Sequence, residues 1–180
     1  MPDSPKDPTV EVRPVREGEW ESYRDLRLEA LRTDPLAFGS TLARERDFSP
    51  EMWRERISRG VAEQAALTFV AVDSTGRFVG TAAVATLEGD LHLFAMWVDP
   101  ERRRTGVGGK LLDAALGWVR SSHPGSAVVL DVNPRQGTAV QLYESRGFRR
   151  TGKFSSLGHT PGEQVMEMIR APDQGSRNPA

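Results

Sequence analysis

A glycine-rich loop between an apolar run and a helical repeat is the part of this sequence best suited to chemistry. The run Leu91–Val98 stops at Asp99-Pro100, a pair that ends strands, and glycines at 106, 108 and 109 precede a helical pattern. A strand that passes through such a loop into a helix aims several backbone N–H groups in one direction, at the positive end of the helix dipole. This arrangement predicts a cradle for a phosphate-bearing ligand.

The spacing of the glycines excludes two common ligands. Gly106-Val107-Gly108 lacks the Gly-x-x-x-x-Gly-Lys-Ser/Thr pattern of an ATP-binding loop. Leu111 stands where the Gly-x-Gly-x-x-Gly pattern of a dinucleotide-binding loop requires a third glycine. The arginines at 102–104 suit steering and pairing with phosphates. An arginine run also admits a nucleic-acid patch, but the net charge of −1 and the lack of interleaved aromatics disfavour it.

Composition bounds the remaining chemistry. A length of 180 residues predicts one domain over 10–170, with polar, disordered tails at 1–9 and 171–180. The absence of cysteine excludes disulfides, thiolate metal sites and a cysteine nucleophile, and the scattered histidines 92, 123 and 159 do not form a zinc pattern. No signal peptide or membrane span is evident. We therefore expect a soluble cytoplasmic protein with no metal, no membrane contact and no nucleic-acid partner.

Hydrophobic periodicity predicts an α/β fold around a mixed, mostly antiparallel central sheet. Most strands follow one another as hairpins, whereas a strand–helix–strand unit lies in the middle of the chain. A nearly continuous apolar run at 127–132 predicts a strand buried on both faces, and residues 35–48 are expected to be a loop. The other predicted strands are 10–15, 67–73, 77–87, 91–98, 148–154 and 164–170, and the predicted helices are 19–32, 50–59, 106–122 and 137–146.

Two sequence blocks resemble the Gcn5-related N-acetyltransferase superfamily. Its loop pattern, Arg/Gln-x-x-Gly-x-Gly/Ala, is matched by residues 103–108. Its second block, a buried strand, a short helix with Ala and Tyr, and Gly-Phe, is matched by residues 130–132, Ala139, Tyr143 and Gly147-Phe148. The resemblance is specific over 77–152 and looser over 10–60. Gln136 departs from the pattern, because the family often has Asn there.

The resemblance implies direct transfer of an acetyl group from acetyl-CoA to a primary amine in a ternary complex. It places pantetheine and the thioester against main-chain groups of a strand, where two parallel strands splay apart, and one N–H there would stabilise the tetrahedral oxyanion. The fold is then a β-α-β acetyl-CoA-binding core within the mixed sheet. The implied acetyl-CoA contacts are Met96, Trp97, Val98, Arg103, Arg104, Thr105, Gly106, Val107, Gly108, Gly109, Lys110, Asn133, Gln136 and Ala139.

The family pattern also assigns two catalytic candidates. Tyr143 would be the general acid that returns a proton to the CoA thiolate, although a tyrosine on an inward helix face is by itself a core residue. His92 would be the general base that deprotonates the ammonium of the acceptor, and its alternative is a structural histidine at a strand end. Glu88 and Glu45 are weaker base candidates, and Asp131 is expected to be structural, with a polar partner.

The sequence does not identify the acceptor amine, which can be a small molecule, an antibiotic-like amine, or the N-terminus or a lysine of a peptide or protein. Phe38, Gly39 and Ser40 are predicted to border its site, because the loop after the first helix does so in this fold. The tryptophans at 20, 53 and 97 are expected to be core. An acyl-CoA-binding sensor without catalysis and a nucleic-acid module built on the arginine run are the alternative functions. The family resemblance leaves homodimerisation open.

Overall fold

The computed structural model describes residues 10–63 and 66–173, including all of their side chains except those of 59–63. The predicted tail 1–9 and residues 174–180 of the second tail lie outside the described residues. The seven strands are β1 Glu11–Pro14, β2 Ala66–Val72, β3 Phe78–Leu87, β4 Asp90–Val98, β5 Val128–Val132, β6 Arg149–Ser156 and β7 Gln164–Arg170. The α-helices of the described chain are α1 Trp20–Thr33, α2 Leu42–Glu45, α3 Pro50–Glu63, α4 Val107–Ser122 and α5 Gly137–Ser145.

The strands form one sheet in the order β1-β2-β3-β4-β5-β7-β6. The pair β4–β5 is parallel and the other neighbouring pairs are antiparallel. This topology confirms the predicted mixed, mostly antiparallel sheet with a β4-α4-β5 unit at its centre. The last strand in the chain, β7, lies between β5 and β6.

The parallel strands β4 and β5 pair over only a short stretch before they separate. Leu91 pairs with Val128 and His92 with Val129, and within the described chain no β4–β5 pair follows these two. Farther along β4, two residues, Ala95 and Met96, oppose the single residue 82 of β3, which makes a β-bulge. Ala95 has φ 52°, a left-handed conformation that a non-glycine residue seldom adopts. The splay thus begins just after His92, and the bulge bends β4 within it.

An apolar cluster lies on each face of the sheet. On one face, α4 and α5 pack against inward residues of β2–β5 and β7, with Leu111, Leu112 and Leu130 among the fully buried side chains. On the other face, α1 and α3 cover the β1–β4 part of the sheet around Trp53 and Trp97. The sheet is therefore covered on both sides only toward its β1 edge.

Three predictions about elements need correction. The strand β5 is buried on one face only: Leu130 is buried, but Asp131 is exposed, because α1 and α3 do not extend over that end of the sheet. Residues 35–48 contain a 3₁₀ turn at Pro35–Ala37 and the short helix α2. Helix α3 extends four residues beyond the predicted end at residue 59. Its predicted start is confirmed, because the Ser49 hydroxyl accepts the Met52 N–H at 3.3 Å.

Candidate active site

The loop of residues 103–109, called the glycine loop below, leads directly into α4. Gly106 is the N-cap residue with φ 91°, and its carbonyl accepts the Lys110 N–H at 3.0 Å. A Cβ at Gly106 would meet nothing within 4 Å, so the backbone conformation alone calls for glycine here. The first N–H groups of α4 are left without intrahelical partners, as at every helix start. Such a helix start is able to bind an anion, and the role of this one as a phosphate cradle stays a prediction.

Gly108 has a different setting, close packing against neighbouring side chains. A Cβ there would lie 3.3 Å from Leu142 Cδ2 of α5, and 3.7 Å from both Met96 Cε and Val98 Cγ2 of β4. Gly109 is also tight, since an added Cβ would meet Arg146 Nη2 at 2.8 Å. These glycines allow the first turn of α4 to sit directly against the end of β4 and against α5.

The three arginines of the run have different environments. Arg102 pairs with Asp73 at 3.4 Å. Arg103 donates from Nε to the Val98 carbonyl at 3.0 Å and from Nη2 to Asp34 Oδ2 at 2.6 Å, so its guanidinium is held by protein groups. Arg104 is exposed, has φ 65° and has no polar partner among the described residues. Arg104 is therefore the arginine of this run with its charge available to a phosphate.

Asp34, which ends α1, gathers three hydrogen bonds on one oxygen. Its Oδ2 accepts Trp97 Nε1–H at 2.7 Å, Arg103 Nη2–H at 2.6 Å and the Thr33 hydroxyl at 3.0 Å. Burial favours the neutral acid, but these hydrogen bonds outweigh it and lower the pKa of Asp34. Trp97 is buried, as predicted, and its indole N–H finds this buried partner.

Tyr143 projects from α5 into the cluster under the sheet and is 6% exposed. Its ring packs edge-on against Phe148 at 5.8 Å between centroids. No described residue hydrogen-bonds to its phenol. Burial raises the pKa of Tyr143, so the phenol stays protonated at neutral pH. A protonated phenol with no hydrogen-bond partner among the described residues has a proton that it can donate to a leaving thiolate.

His92 lies on the open face of the sheet, where β4 and β5 part. Val129 of β5 pairs with His92, and Asp131 lies two residues farther along β5. Glu167 of β7 pairs directly with Asp131. Although Asp131 is exposed on the sheet surface, partial desolvation of its carboxyl raises its pKa, the Glu167 charge adds to this, and His92 partly offsets it. The expected structural partner of Asp131 is not found, since no described residue hydrogen-bonds to its carboxylate.

The two weaker base candidates are not suited to that role. Glu45 is 1% exposed and held between Arg27, at 2.8 Å, and Arg56, at 2.9 Å. Although burial opposes ionisation, hydrogen bonding and charge from Arg27 lower the pKa of Glu45, so it is a poor proton acceptor. Glu88 lies in the β3–β4 turn, at the end of β4 opposite to the glycine loop.

Residues 38–40, called the acceptor segment below, follow the 3₁₀ turn after α1. The Phe38 ring lies under the Arg27 guanidinium at 4.4 Å. The Phe38 carbonyl meets His159 Nε2 of the β6–β7 loop at 2.6 Å. Gly39 is exposed with nothing near its Cβ position. The structure thus brings two loops from opposite ends of the chain together on the open face.

Other predicted acetyl-CoA contacts are held by neighbouring groups. The Thr105 hydroxyl donates to the Arg102 carbonyl at 2.7 Å. The Asn133 side chain is 2% exposed, accepts the Arg135 N–H and donates to Glu163 at 3.0 Å. These two side chains therefore shape their turns, while Gln136 and Ala139 are partly exposed at the start of α5.

Sequence reasoning missed the roles of Asp34, His159 and Glu163. Two of the partners of Asp34, Trp97 and Arg103, lie 63 and 69 positions away along the chain. His159 and Glu163 belong to a turn without any periodic pattern. No local sequence signal points to such long-range contacts.

Two absences hold within the described residues. No group of three or more His, Cys, Asp or Glu side chains there is placed to hold a metal ion. No helix over 10–63 and 66–173 has the length and apolar character needed to cross a membrane.

The comparisons with known proteins agree with one another and point to acetyltransferases. The acetyltransferase (GNAT) domain model matches residues 37–158. Human N-acetyltransferase 8 is 40% identical over 63 residues, which is 35% of this chain and 27% of the human protein. The chain matches less than half the length of the curated relatives it resembles.

Solved structures show the same fold. A GNAT-family acetyltransferase from Streptococcus pneumoniae superposes with a TM-score of 0.77 at 20% identity, covering 91% of this chain and 99% of that one. A phosphinothricin acetyltransferase from Sinorhizobium meliloti, solved in complex with AcCoA, gives 0.75 at 18% identity, covering 93% and 91%. With the glycine loop, the splayed β4–β5 pair and the family match over two thirds of its length, this chain belongs to the GNAT family of acetyltransferases.

Proposed function

We propose that this protein transfers the acetyl group of acetyl-CoA to a primary amine by direct attack within a ternary complex. The observation that carries the proposal is the joint placement of an anion-binding loop, a strand splay and an unpartnered phenol. The S. meliloti relative, whose structure contains AcCoA, supports the choice of acetyl donor. The name of human N-acetyltransferase 8 supports transfer to nitrogen.

The residues present fit acetyl-CoA. The N–H groups at the start of α4 and the free charge of Arg104 suit its phosphates. Unpaired main-chain groups of β4, at the bulge and beyond it, suit the pantetheine amides, and an N–H near Met96 suits the thioester oxygen. Arg103 Nε already donates to the Val98 carbonyl. For this carbonyl to accept a pantetheine N–H, the Arg103 side chain must share the oxygen or move away from it.

The chain supplies two proton transfers in this reaction. His92, directly or through water, accepts a proton from the acceptor ammonium, so that the nitrogen can attack the thioester carbon. The nitrogen attacks the thioester carbon to form a tetrahedral intermediate, whose collapse breaks the C–S bond while Tyr143 donates its phenolic proton to the departing sulfur. The nitrogen gives up its second proton, through water, to the Tyr143 phenolate, and His92 returns the first proton to solvent. The products are the amide, the free CoA thiol and one proton in solution. A cysteine acyl-enzyme is excluded because the sequence contains no cysteine.

An acceptor screen tests the proposal. The purified protein is incubated with acetyl-CoA and a panel of polyamines, amino acids, aminoglycosides and peptides with free N-termini, while CoA thiol release and product mass are measured. We expect at least one amine to gain an acetyl group at a rate well above spontaneous hydrolysis. Tight CoA binding with no acetylation of any amine would instead favour the sensor alternative.

The acceptor segment is proposed to border the amine site, since it faces the β6–β7 loop across the open side of the sheet. A cytoplasmic location is proposed from the cysteine-free composition. Salt-sensitive nucleic-acid binding that survives saturation with acetyl-CoA would revive the nucleic-acid alternative.

A further inference from the structure

We propose that Asp34 is a positioning residue that couples occupation of the glycine loop to ordering of the acceptor segment. The inference rests on the proposed function, because it takes the glycine loop as the acetyl-CoA site and residues 38–40 as part of the amine site. Asp34 itself contacts neither substrate in this account. It acts through the two elements that it joins.

On the acetyl-donor side, Asp34 contacts Arg103 of the glycine loop and Trp97 of β4. Arg103 begins the glycine loop, and its guanidinium joins the Val98 carbonyl at 3.0 Å and Asp34 Oδ2 at 2.6 Å. Trp97, which directly precedes Val98 on β4, donates to the same oxygen at 2.7 Å. One carboxylate oxygen therefore holds both the loop and the strand end that flank the proposed thioester site.

On the acceptor side, Asp34 is connected to the acceptor segment through the backbone. The backbone of Asp34 ends α1, with its N–H bonded to the Ala30 carbonyl, and starts the 3₁₀ turn, with its carbonyl accepting the Ala37 N–H at 3.0 Å. Phe38 follows at once, and its carbonyl meets His159 Nε2 at 2.6 Å. A shift of Asp34 is thereby transmitted to residues 35–38 through the backbone and on to the β6–β7 loop.

The Asp34–Arg103 ion pair is placed to transmit the effect of ligand binding at the glycine loop to the acceptor segment. Asp34 is about one-quarter exposed and Arg103 about two-fifths exposed, so the pair is partly open to water and is not fixed by deep burial. A ligand that immobilises the backbone of residues 103–109 also fixes the base of the Arg103 side chain. Ligand binding has then already ordered the Arg103 side of the ion pair, so less conformational entropy is lost when Asp34 is held. Residues 35–40, which follow Asp34 in the chain, therefore open less often.

Amide hydrogen–deuterium exchange with CoA as the probe tests this, because it requires neither an acceptor nor turnover. In the wild-type protein, saturating CoA should slow exchange at 103–110 and also, by about fivefold or more, at 36–40. In Asp34→Asn, CoA should still slow exchange at 103–110 but no longer at 36–40. Asp73→Asn is the matched control, because it alters the carboxylate that pairs with Arg102 of the neighbouring turn, and it should behave as the wild type.

Arg103→Lys provides a second variant in case Asp34→Asn does not fold. Lysine keeps the charge but cannot hold Val98 and Asp34 with one planar group, while Trp97 still anchors Asp34. It should lose the CoA effect at 36–40 as well. The coupling alone would be overturned by either of two results. One is that CoA slows exchange at 36–40 in both variants as much as in the wild type. The other is that CoA protects 103–110 of the wild type without any effect at 36–40. No protection at 103–110 in the wild type would overturn the proposed acetyl-donor site and the coupling with it.

Discussion

At the scale of single residues, the chain carries two buried tyrosines in very different settings. Tyr143 lies in the cluster that contains α4 and α5, whereas Tyr23 packs against Trp53 in the cluster on the other face. Tyr143→Phe removes only the proposed acid, so we expect kcat to fall by about 10²- to 10⁴-fold with little change in the KM for acetyl-CoA. Steady-state kinetics with Tyr23→Phe as the matched control measure this. A wild-type kcat in Tyr143→Phe would refute the acid role.

His92 is the proposed general base. A base acts only in its unprotonated form, so this role predicts a limb of the pH–rate profile on which kcat/KM rises with pH. In His92→Ala we expect that limb to disappear and kcat to fall by about 10²-fold. Added imidazole should restore part of the rate. The control is His123→Ala, which changes the histidine at the far end of α4.

Asp131 must be compared with His92, because both line the open face and Glu167 lies opposite. Asp131→Asn should leave the pH limb in place if His92 is the base. Loss of the same limb in Asp131→Asn, with retention in His92→Ala, would transfer the base role to Asp131.

The pKa of Asp34 makes its contribution to stability pH-dependent. The folded-state pKa is lowered, so the carboxylate stabilises the fold fully above its unfolded pKa of about 3.9, and the effect is lost as pH falls through the folded value. Asp34→Asn should therefore lower the free energy of unfolding at pH 7 but have little effect near pH 2. Urea unfolding at both pH values measures the difference. An equal loss at both would contradict the pKa assignment.

At the scale of elements, the start of α4 depends on two glycines for separate reasons. Gly106→Ala places a Cβ on a backbone with φ 91° and should cost about 1–2 kcal/mol. Because the strain lies in the anion-binding turn, we expect weaker CoA binding as well as a lower Tm. Calorimetric titration with CoA checks this, and Gly137→Ala, in open space at the start of α5, is the control.

The central elements were predictable because their signals are local. The apolar run before the glycine loop, the helical repeat after it and the Gly-Phe pair after α5 each lie within a few residues of the structure they specify. The bulge at Ala95 and the exposed face of Asp131 were not predictable, because they follow from which helices cover which part of the sheet. The hydrogen bonds of Asp34 bring together residues more than 60 positions apart, which no short-range pattern encodes.

At the scale of the whole molecule, the site lies where the two apolar clusters meet across the sheet. The cluster of α4 and α5 supports the acetyl-donor side, and the cluster of α1 and α3 supports the acceptor segment through Phe38. Asp34, with one partner in the loop before α4 and another on β4, is a polar connection between these halves. Substrate binding and global stability are therefore expected to respond together to changes at this residue.

The position of β7 has a consequence for the order in which the chain can be built. Among the described residues, strand β6 pairs only with β7, and β7 also pairs with the side of β5 that faces away from β4. During synthesis on the ribosome, β5 and β6 must wait with unpaired edges until residues 164–170 emerge. A nascent chain stalled before residue 164 is therefore expected to recruit chaperones, and to lose them once β7 is inserted.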